Sequence, residues 1–365
     1  MVIVAASAAA SLALAACSAA PEPRLRLGSM PFTGFMTLYA QADIRELGVH
    51  RYGPWWDRIA GPSESGRGTM YSCSVGFLDL SHIREYMDWT KYVHDRLRER
   101  LRAEEPLAAP AEFSWTNGDF VLTVTPPAWL ATLPPAEREA AVQEASIRIA
   151  QRCAVIIATW HEIATWYGHS TVPGVSEKRS AFTWDDTTSH AVAAIIAGQA
   201  LRSAEPTWDV AATAALECQL RFLGVLDPAQ EALAVSMSKD VWWADSTPLR
   251  RDLDTGLETG FKTPWLVPGL PFCAGAVPAR LPVELPPERW GDGSDRSWAG
   301  SVRLTIGMSR WLARRVMGTG EGPTQTIVDA ESDMPGIMAR LREHVLAECG
   351  PMGDQPDPPP ASASK

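Results

Sequence analysis

The segment that most constrains this fold is Pro134 to Gly168, PPAEREAAVQEASIRIAQRCAVIIATWHEIATWYG. It opens on a proline pair, runs about 33 residues with helical character and closes on a glycine, the punctuation expected of one long helix or of two separated by a kink. Its stretch from Ala154 to Ile163 is apolar all round except at His161 and Glu162, so the helix is expected to be buried on most sides. Any fold for the chain must wrap other elements around this helix and find partners for those two polar side chains, because burying them unpaired costs several kcal/mol.

The remaining elements follow from periodicity. Residues 79–101 space Leu80, Ile83, Met87, Tyr92 or Val93 and Leu97 as one helical face, while Asp79, His82 and Tyr86 lie near one another on another part of the surface. FSWTNGDFVLTVT predicts a hairpin turning at Asn117-Gly118. Trp184-Asp185-Asp186 precedes a helical run, with Asp185 or Asp186 as its N-cap. Further helices are expected at 208–224, 228–238 and 333–348, with Gly- and Pro-rich loops and short strands from Asp252 to Pro287. The fold class expected is mainly α with a small β component (α+β), as a single large domain over residues 30–348.

The first residues, MVIVAASAAASLALAAC, are small and apolar and end in Leu14-Ala15-Ala16-Cys17. That pattern predicts a lipoprotein signal peptide over residues 1–16, a lipidated Cys17 that holds the protein to a membrane, and a tether over 17–29 beginning with Pro21 and Pro23. Ser18 after the cysteine points to the outer membrane, with the body facing the periplasm. Residues 349–365 are poor in apolar side chains and are expected to be a disordered tail. The formal charge of -10 argues against nucleic acid as a partner. Five cysteines remain after Cys17, an odd number without zinc-finger or redox-pair spacing, and an oxidising compartment permits a disulfide without naming the pair. The fifteen tryptophans, among them Trp89, Trp160, Trp166, Trp184, Trp242 and Trp265, offer stacking platforms for sugars, although core packing is the commoner use of the ring.

The chemistry concentrates in TWHEIATWYGHSTVPGVSEKRSAF, residues 159–182. If helical geometry persists past Gly168, Glu162 and His169 are nearly eclipsed, His161 and His169 are about 80° apart, and all three border one cleft. Two imidazoles and a carboxylate suit a divalent metal, zinc or manganese, that activates water. The HExxH arrangement of zinc peptidases is absent, since Thr165 stands where the second histidine must be. The expected ligand set is therefore His161, His169 and, from the 79–101 helix, His82, with Asp79 or Asp88 orienting it. Glu162 is the expected general base, and Glu177, on the following loop, a second catalytic acid, base or ligand. Cys73 with a histidine as base is a different chemistry that the sequence permits.

Together the lipoprotein start, YSCSVGFLDLSHIREYMDWT and TWHEIATWYGHSTVPGVSEKRSAFTWDDTTS resemble a bacterial family, domain of unknown function 4056, over roughly residues 30–315. The resemblance implies a bacterial, envelope-associated protein and carries no catalytic assignment. The sequence supports a metal-assisted hydrolase of a cell-envelope polymer, with a glycan such as peptidoglycan as partner. The alternatives are a non-enzymatic lipoprotein that binds glycan or protein through its tryptophans, and a metal-free glycosidase pairing Glu162 with Glu177 or Asp185.

Overall fold

The structure, a computed structural model, describes residue 23 and residues 41–52, 68–103, 110–115, 117–170, 176–245, 247–284, 296–318 and 325–350. The expectations about the signal peptide, Cys17, the tether apart from Pro23, and the tail beyond Gly350 lie outside the described residues. The architecture is α+β: among the described residues, seven α-helices with small antiparallel sheets. No helix among the described residues is long and apolar enough to cross a membrane.

Three helices form the centre. A short hairpin, β1 (Thr69–Ser72) and β2 (Gly76–Asp79), leads into α1 (Leu80–Arg102). Asp79 ends the strand and caps the helix, its carboxylate accepting from the amides of Ser81 at 2.6 Å and His82 at 3.3 Å. The face expected from spacing is the buried one: Leu80, Ile83, Met87, Val93 and Leu97 are each at most 1% exposed. Full burial of side chains of this kind stabilises the fold by roughly 1.5–3 kcal/mol each. The central helix, α2 (Pro135–Trp166), is continuous, with Pro135 in its first turn, where a missing N–H costs nothing. It is followed by α3 (Asp186–Arg202), whose interior is dominated by Ala, Gly and Ile. Small side chains let α3 approach its neighbours closely: a Cβ at Gly198 would lie 2.4 Å from the Gln151 amide, which itself donates to the Ala194 carbonyl. α1, α2 and α3 each pack on the other two.

Two further helices, α4 (Trp208–Phe222) and α5 (Pro228–Ser238), extend this layer, α5 opening on a capping box between Asp227 and Gln230. A second hairpin, β3 (Ala111–Trp115) and β4 (Gly118–Val124), joins β5 (Val302–Gly307) and β6 (Ile327–Asp329) in a four-stranded antiparallel sheet of order β6-β5-β4-β3. Trp115 pairs with Gly118, so Gly118 is the first residue of β4 rather than a turn residue, one position from the expected register. Phe120 and Leu122 of β4, paired with Ile306 and Leu304 of β5, point into the core, where Phe120 stacks on Phe113. The C-terminal elements α6 (Arg310–Met317) and α7 (Met334–Cys349) complete the described chain. Of these, only α7 was expected from the sequence, although β5 alternates apolar and polar residues from Val302 to Ile306 and α6 buries one face through Leu312, Ala313 and Val316.

A second, aromatic cluster lies beside the β1–β2 hairpin. Trp242 is at its centre, with ring centres 5.3 Å from Trp184, 5.8 Å from Trp265 and 6.2 Å from Phe77. Trp89, Trp160 and Trp166 are also buried, and Trp243, likewise a candidate sugar platform, is half-buried against the aromatic cluster. Cys73 and Cys273 form a disulfide across the edge of this cluster, while Cys153, Cys218 and Cys349 are free. The bridge removes Cys73 as a nucleophile, because a disulfide sulfur offers no thiolate.

Glu231 of α5 is fully buried and accepts from the Thr69 hydroxyl, tying α5 to β1. Burial pushes its carboxyl up to about 8, against the smaller opposing pull of that hydrogen bond. A carboxyl raised in the folded state is bound to its proton there and released from it on unfolding. Its stabilisation is complete below the ordinary pKa near 4.5 and is lost as pH rises through about 8. Thermal melting between those limits is expected to fall with pH in the wild type and to fall less in Glu231→Gln. Identical pH profiles for the two proteins would refute this.

Candidate functional site

The ends of α1, α2 and α3 bring a polar cluster into the apolar core. The helix α2 ends in a Schellman closure: the Gly168 amide donates to the Thr165 carbonyl at 3.0 Å and the His169 amide to the Ala164 carbonyl at 2.8 Å. Gly168 takes φ +98°, the left-handed conformation this closure needs. The helix therefore stops before His169, and the eclipsed placement of His169 over Glu162 is corrected: the two residues leave the helix end in different directions. His161 and His169 remain neighbours, with ring centres 6.4 Å apart. Asn117, at the tip of the β3–β4 hairpin, lies 3.2 Å from His161 Nδ1 through its side-chain nitrogen, and its carbonyl accepts from Trp160 at 3.2 Å. Burial, then the charges of His82 and His169, push His161 down to about 3; burial likewise lowers His169, against the charge of Glu177.

Glu162 turns inward. Its Oε2 accepts from the Phe182 amide at 2.9 Å, on a loop whose Phe182 holds φ +56°, a strained value for a bulky residue. That loop is clamped from outside: Arg251 donates to the carbonyls of Arg179 and Ala181, and the Asp252 amide donates to the Phe182 carbonyl at 2.9 Å. Asp252 in turn holds the buried Lys262 ammonium at 2.6 Å. Glu162 thus sits at the end of a chain of buried contacts that fixes one of its oxygens. Burial, reinforced by the Asp186 charge, raises its carboxyl well above the usual carboxylate range, although His82 and the Phe182 amide pull the other way.

His82 faces the same centre from α1. Its Nδ1 lies 3.2 Å from Asp186 Oδ1. Burial works against a proton on His82, but Asp79 and Asp186 outweigh it and hold the imidazole well above its usual value. The orienting carboxylates are therefore Asp186 and Asp79. Asp88 is engaged elsewhere, 2.8 Å from His50 Nε2 and accepting from the Trp208 indole.

Two residues on α3 complete the cluster and were not among the expected site residues. Asp186 and His190 are one turn apart on the same face. The His190 ring centre is 5.6 Å from that of His82 and 4.5 Å from that of Tyr86. His190 is 2% exposed, its Nε2 has no hydrogen-bond partner, and neither does Asp185 Oδ1. Burial, with the charge of His82 next, lowers His190 well below its usual value. A signal for it was present in the sequence: in SHAVAAIIAGQA, His190 is the one titratable side chain in an otherwise small and apolar run. Of the two expected capping residues, Asp185 occupies the N-cap of α3 without a side-chain cap hydrogen bond, and Asp186 Oδ2 accepts from the amide and hydroxyl of Thr183.

Of the expected ligand set, His161 and His169 lie as an outer pair beside Asn117, and His82 lies with Asp186 and His190 next to Glu162; the two groups adjoin, since the charge of His82 acts on His161 and that of His161 on His190. Glu177 lies on the outer side, where its charge acts on His169. Among the described residues no three His, Cys, Asp or Glu side chains are closed around one point as a finished metal site. A separate cavity of about 410 Å³ between α2, α7 and residues 253–259 is lined by Arg152, Leu253, Met334 and Met338, and by none of the candidate histidines.

No curated protein and no solved structure matches the chain. A family model described as "Protein of unknown function (DUF4056)" matches residues 8–252, which reaches further toward the N-terminus and stops earlier than the span expected from the sequence motifs. The matched region holds His82, His161, Glu162, His169, Glu177, Asp186 and His190, that is, the whole cluster together with the Arg251 and Asp252 clamp. The chain belongs to the DUF4056 family.

Proposed function

We propose that the protein is a hydrolase of a cell-envelope polymer, working with a divalent cation held between His82, Asp186 and His190 and with Glu162 as general base. The observation that carries this reading is an unbalanced buried donor set. Glu162, Asp185 and Asp186 are at most 3% exposed; among the described residues none makes a direct ion pair with a lysine or arginine, and the charges that reach them from nearby are those of the buried Arg251 and of His82. Beside them stand two imidazoles, one with a buried, unpartnered ring nitrogen. Burial raises Glu162 and Asp185 well above the usual carboxylate range, a cost that a divalent cation would offset, and two imidazoles with a carboxylate are a donor set that zinc or manganese accepts.

A divalent cation here would be held by His82 and Asp186, 3.2 Å apart, and by His190. When bound, it supplies an acidified water and a Lewis acid. The residues of the chain supply the rest. The Phe182 amide fixes one oxygen of Glu162, and the other, once the carboxyl is ionised beside a cation, would take a proton from water and return it to the leaving group. Access is from the side of His82, His161 and His169, which are partly exposed.

The signal-peptide pattern, Cys17 as a lipid anchor and the Cys73–Cys273 disulfide support a place in the envelope, at the outer membrane facing the periplasm. Metal content by mass spectrometry tests the site. Protein purified without chelator is expected to carry close to one zinc or manganese per chain, lost in His82→Ala/His190→Ala and kept in His161→Ala/His169→Ala. Absence of metal after reconstitution with both ions sinks the reading; loss only in the second double variant moves the site to the outer pair.

A further inference from the structure

We infer that Trp311 is a sugar-stacking platform at the mouth of this site, and that with Arg315 it selects a glycan strand bearing negative charge. The inference rests on the proposed envelope-polymer reading and names the class of polymer.

Seven tryptophans are buried in the described structure, and Trp311, on α6, is the one whose ring is exposed, at 49%. Its position is tied to the site. The space a Cβ would fill at Gly168 is 3.4 Å from the Trp311 ring and 3.0 Å from the Arg315 guanidinium. Arg315 donates to the Tyr167 carbonyl at 3.0 Å, and its guanidinium lies 4.5 Å from the Trp311 ring centre. The platform therefore rests on the backbone that links α2 to His169, next in sequence to the outer histidine pair. An exposed indole is normally withdrawn into a core or placed where an apolar face is needed; the flat, C–H-lined face of a pyranose is such a partner. Arg315 is held beneath the ring as well as against the backbone, so the indole is fixed in orientation before any ligand arrives.

The charge around the ring narrows the occupant. α6 carries Arg310, Arg314 and Arg315 on its exposed side, in a chain whose formal charge is -10. A local basic surface on an acidic protein favours an anionic ligand over a neutral one. An amino-sugar strand with carboxylate substituents presents both features, a stacking face and a negative group within reach of a guanidinium.

Isothermal titration calorimetry on the purified full-length protein tests this with a defined probe: a short N-acetylglucosamine/N-acetylmuramic acid oligosaccharide with free carboxylates, against a neutral N-acetylglucosamine oligomer of equal length. The expected result is tighter binding of the anionic probe by about tenfold, a loss of tenfold or more in Trp311→Ala, and a smaller loss in Trp311→Phe, which keeps a stacking ring. Arg315→Leu is expected to erase the preference between the two probes. Unchanged affinity in Trp311→Ala, with melting temperature matching wild type, overturns the platform; equal affinity of wild type for the two probes overturns the charge selection. Because the readout is binding, it stands apart from catalysis. Glycan binding that depends on Trp311 in a protein that carries no metal retains the platform and removes the hydrolase reading.

Discussion

Under the proposed hydrolase mechanism, Glu162→Gln is expected to lower hydrolysis of an envelope polymer by about 10²- to 10⁴-fold, the range for loss of a positioned general base, while leaving the fold and any bound metal in place. The substitution is close to isosteric. The Gln side-chain oxygen still accepts from the Phe182 amide as Glu162 Oε2 does, so the loop clamped by Arg251 and Asp252 keeps its anchor. In the absence of a cation, burial and Asp186 already hold Glu162 in its neutral form, so a neutral amide costs little stability there. A turnover assay on isolated envelope polymer, run beside thermal melting and metal analysis, separates the roles. Lost turnover with an unchanged melt assigns the proton transfer to Glu162. Retained turnover removes Glu162 from the mechanism, and lost turnover with a collapsed melt makes it a structural acceptor for the 178–186 loop.

How much of this site was legible in the sequence depends on which physical signal each part carries. α1 and α2 declare themselves through periodicity and through their punctuation by Asp79, Pro135 and Gly168. Glu162 and His161 stand out because a polar pair interrupts an apolar helix. His82 needs more: it lies on a different element, and only packing of α1 against α2 and α3 makes it a neighbour of Glu162. His190 was overlooked because a lone histidine in a small-residue helix is equally consistent with a core contact, and nothing local distinguishes them. Only the angle of His169 departs from the helical expectation: Gly168 adopts a left-handed conformation that ends the helix, and extrapolating the helical angle to His169 assumed the opposite, whereas the charge of His82 does reach His161. Trp311 carries no sequence signal at all, since fifteen tryptophans look alike until burial separates them.

Breaking the Cys73–Cys273 bridge is expected to have the largest effect on stability. The two cysteines are 200 residues apart in sequence, so the bond closes a loop containing α1 through α5 in the unfolded chain. Chain-entropy arguments put the stabilisation from a loop of that length at about 5 kcal/mol, equivalent to ~10 °C in melting temperature for a domain of this size. Calorimetry with and without a thiol reductant measures it, and Cys73→Ser/Cys273→Ser should reproduce the reduced melt without reductant. Serine at Cys153, Cys218 and Cys349 provides the control, because free thiols have no bond to lose. Coincident oxidised and reduced melts would mean that the bridge does not form in the protein. The consequence reaches the site: Cys73 stands in the turn of the β1–β2 hairpin, β2 ends at Asp79, and Asp79 both caps α1 and places its charge beside His82. Pinning that turn to residue 273 fixes the start of α1, so reduction of the bridge is expected to loosen the element that carries His82 as well as to lower the melting temperature.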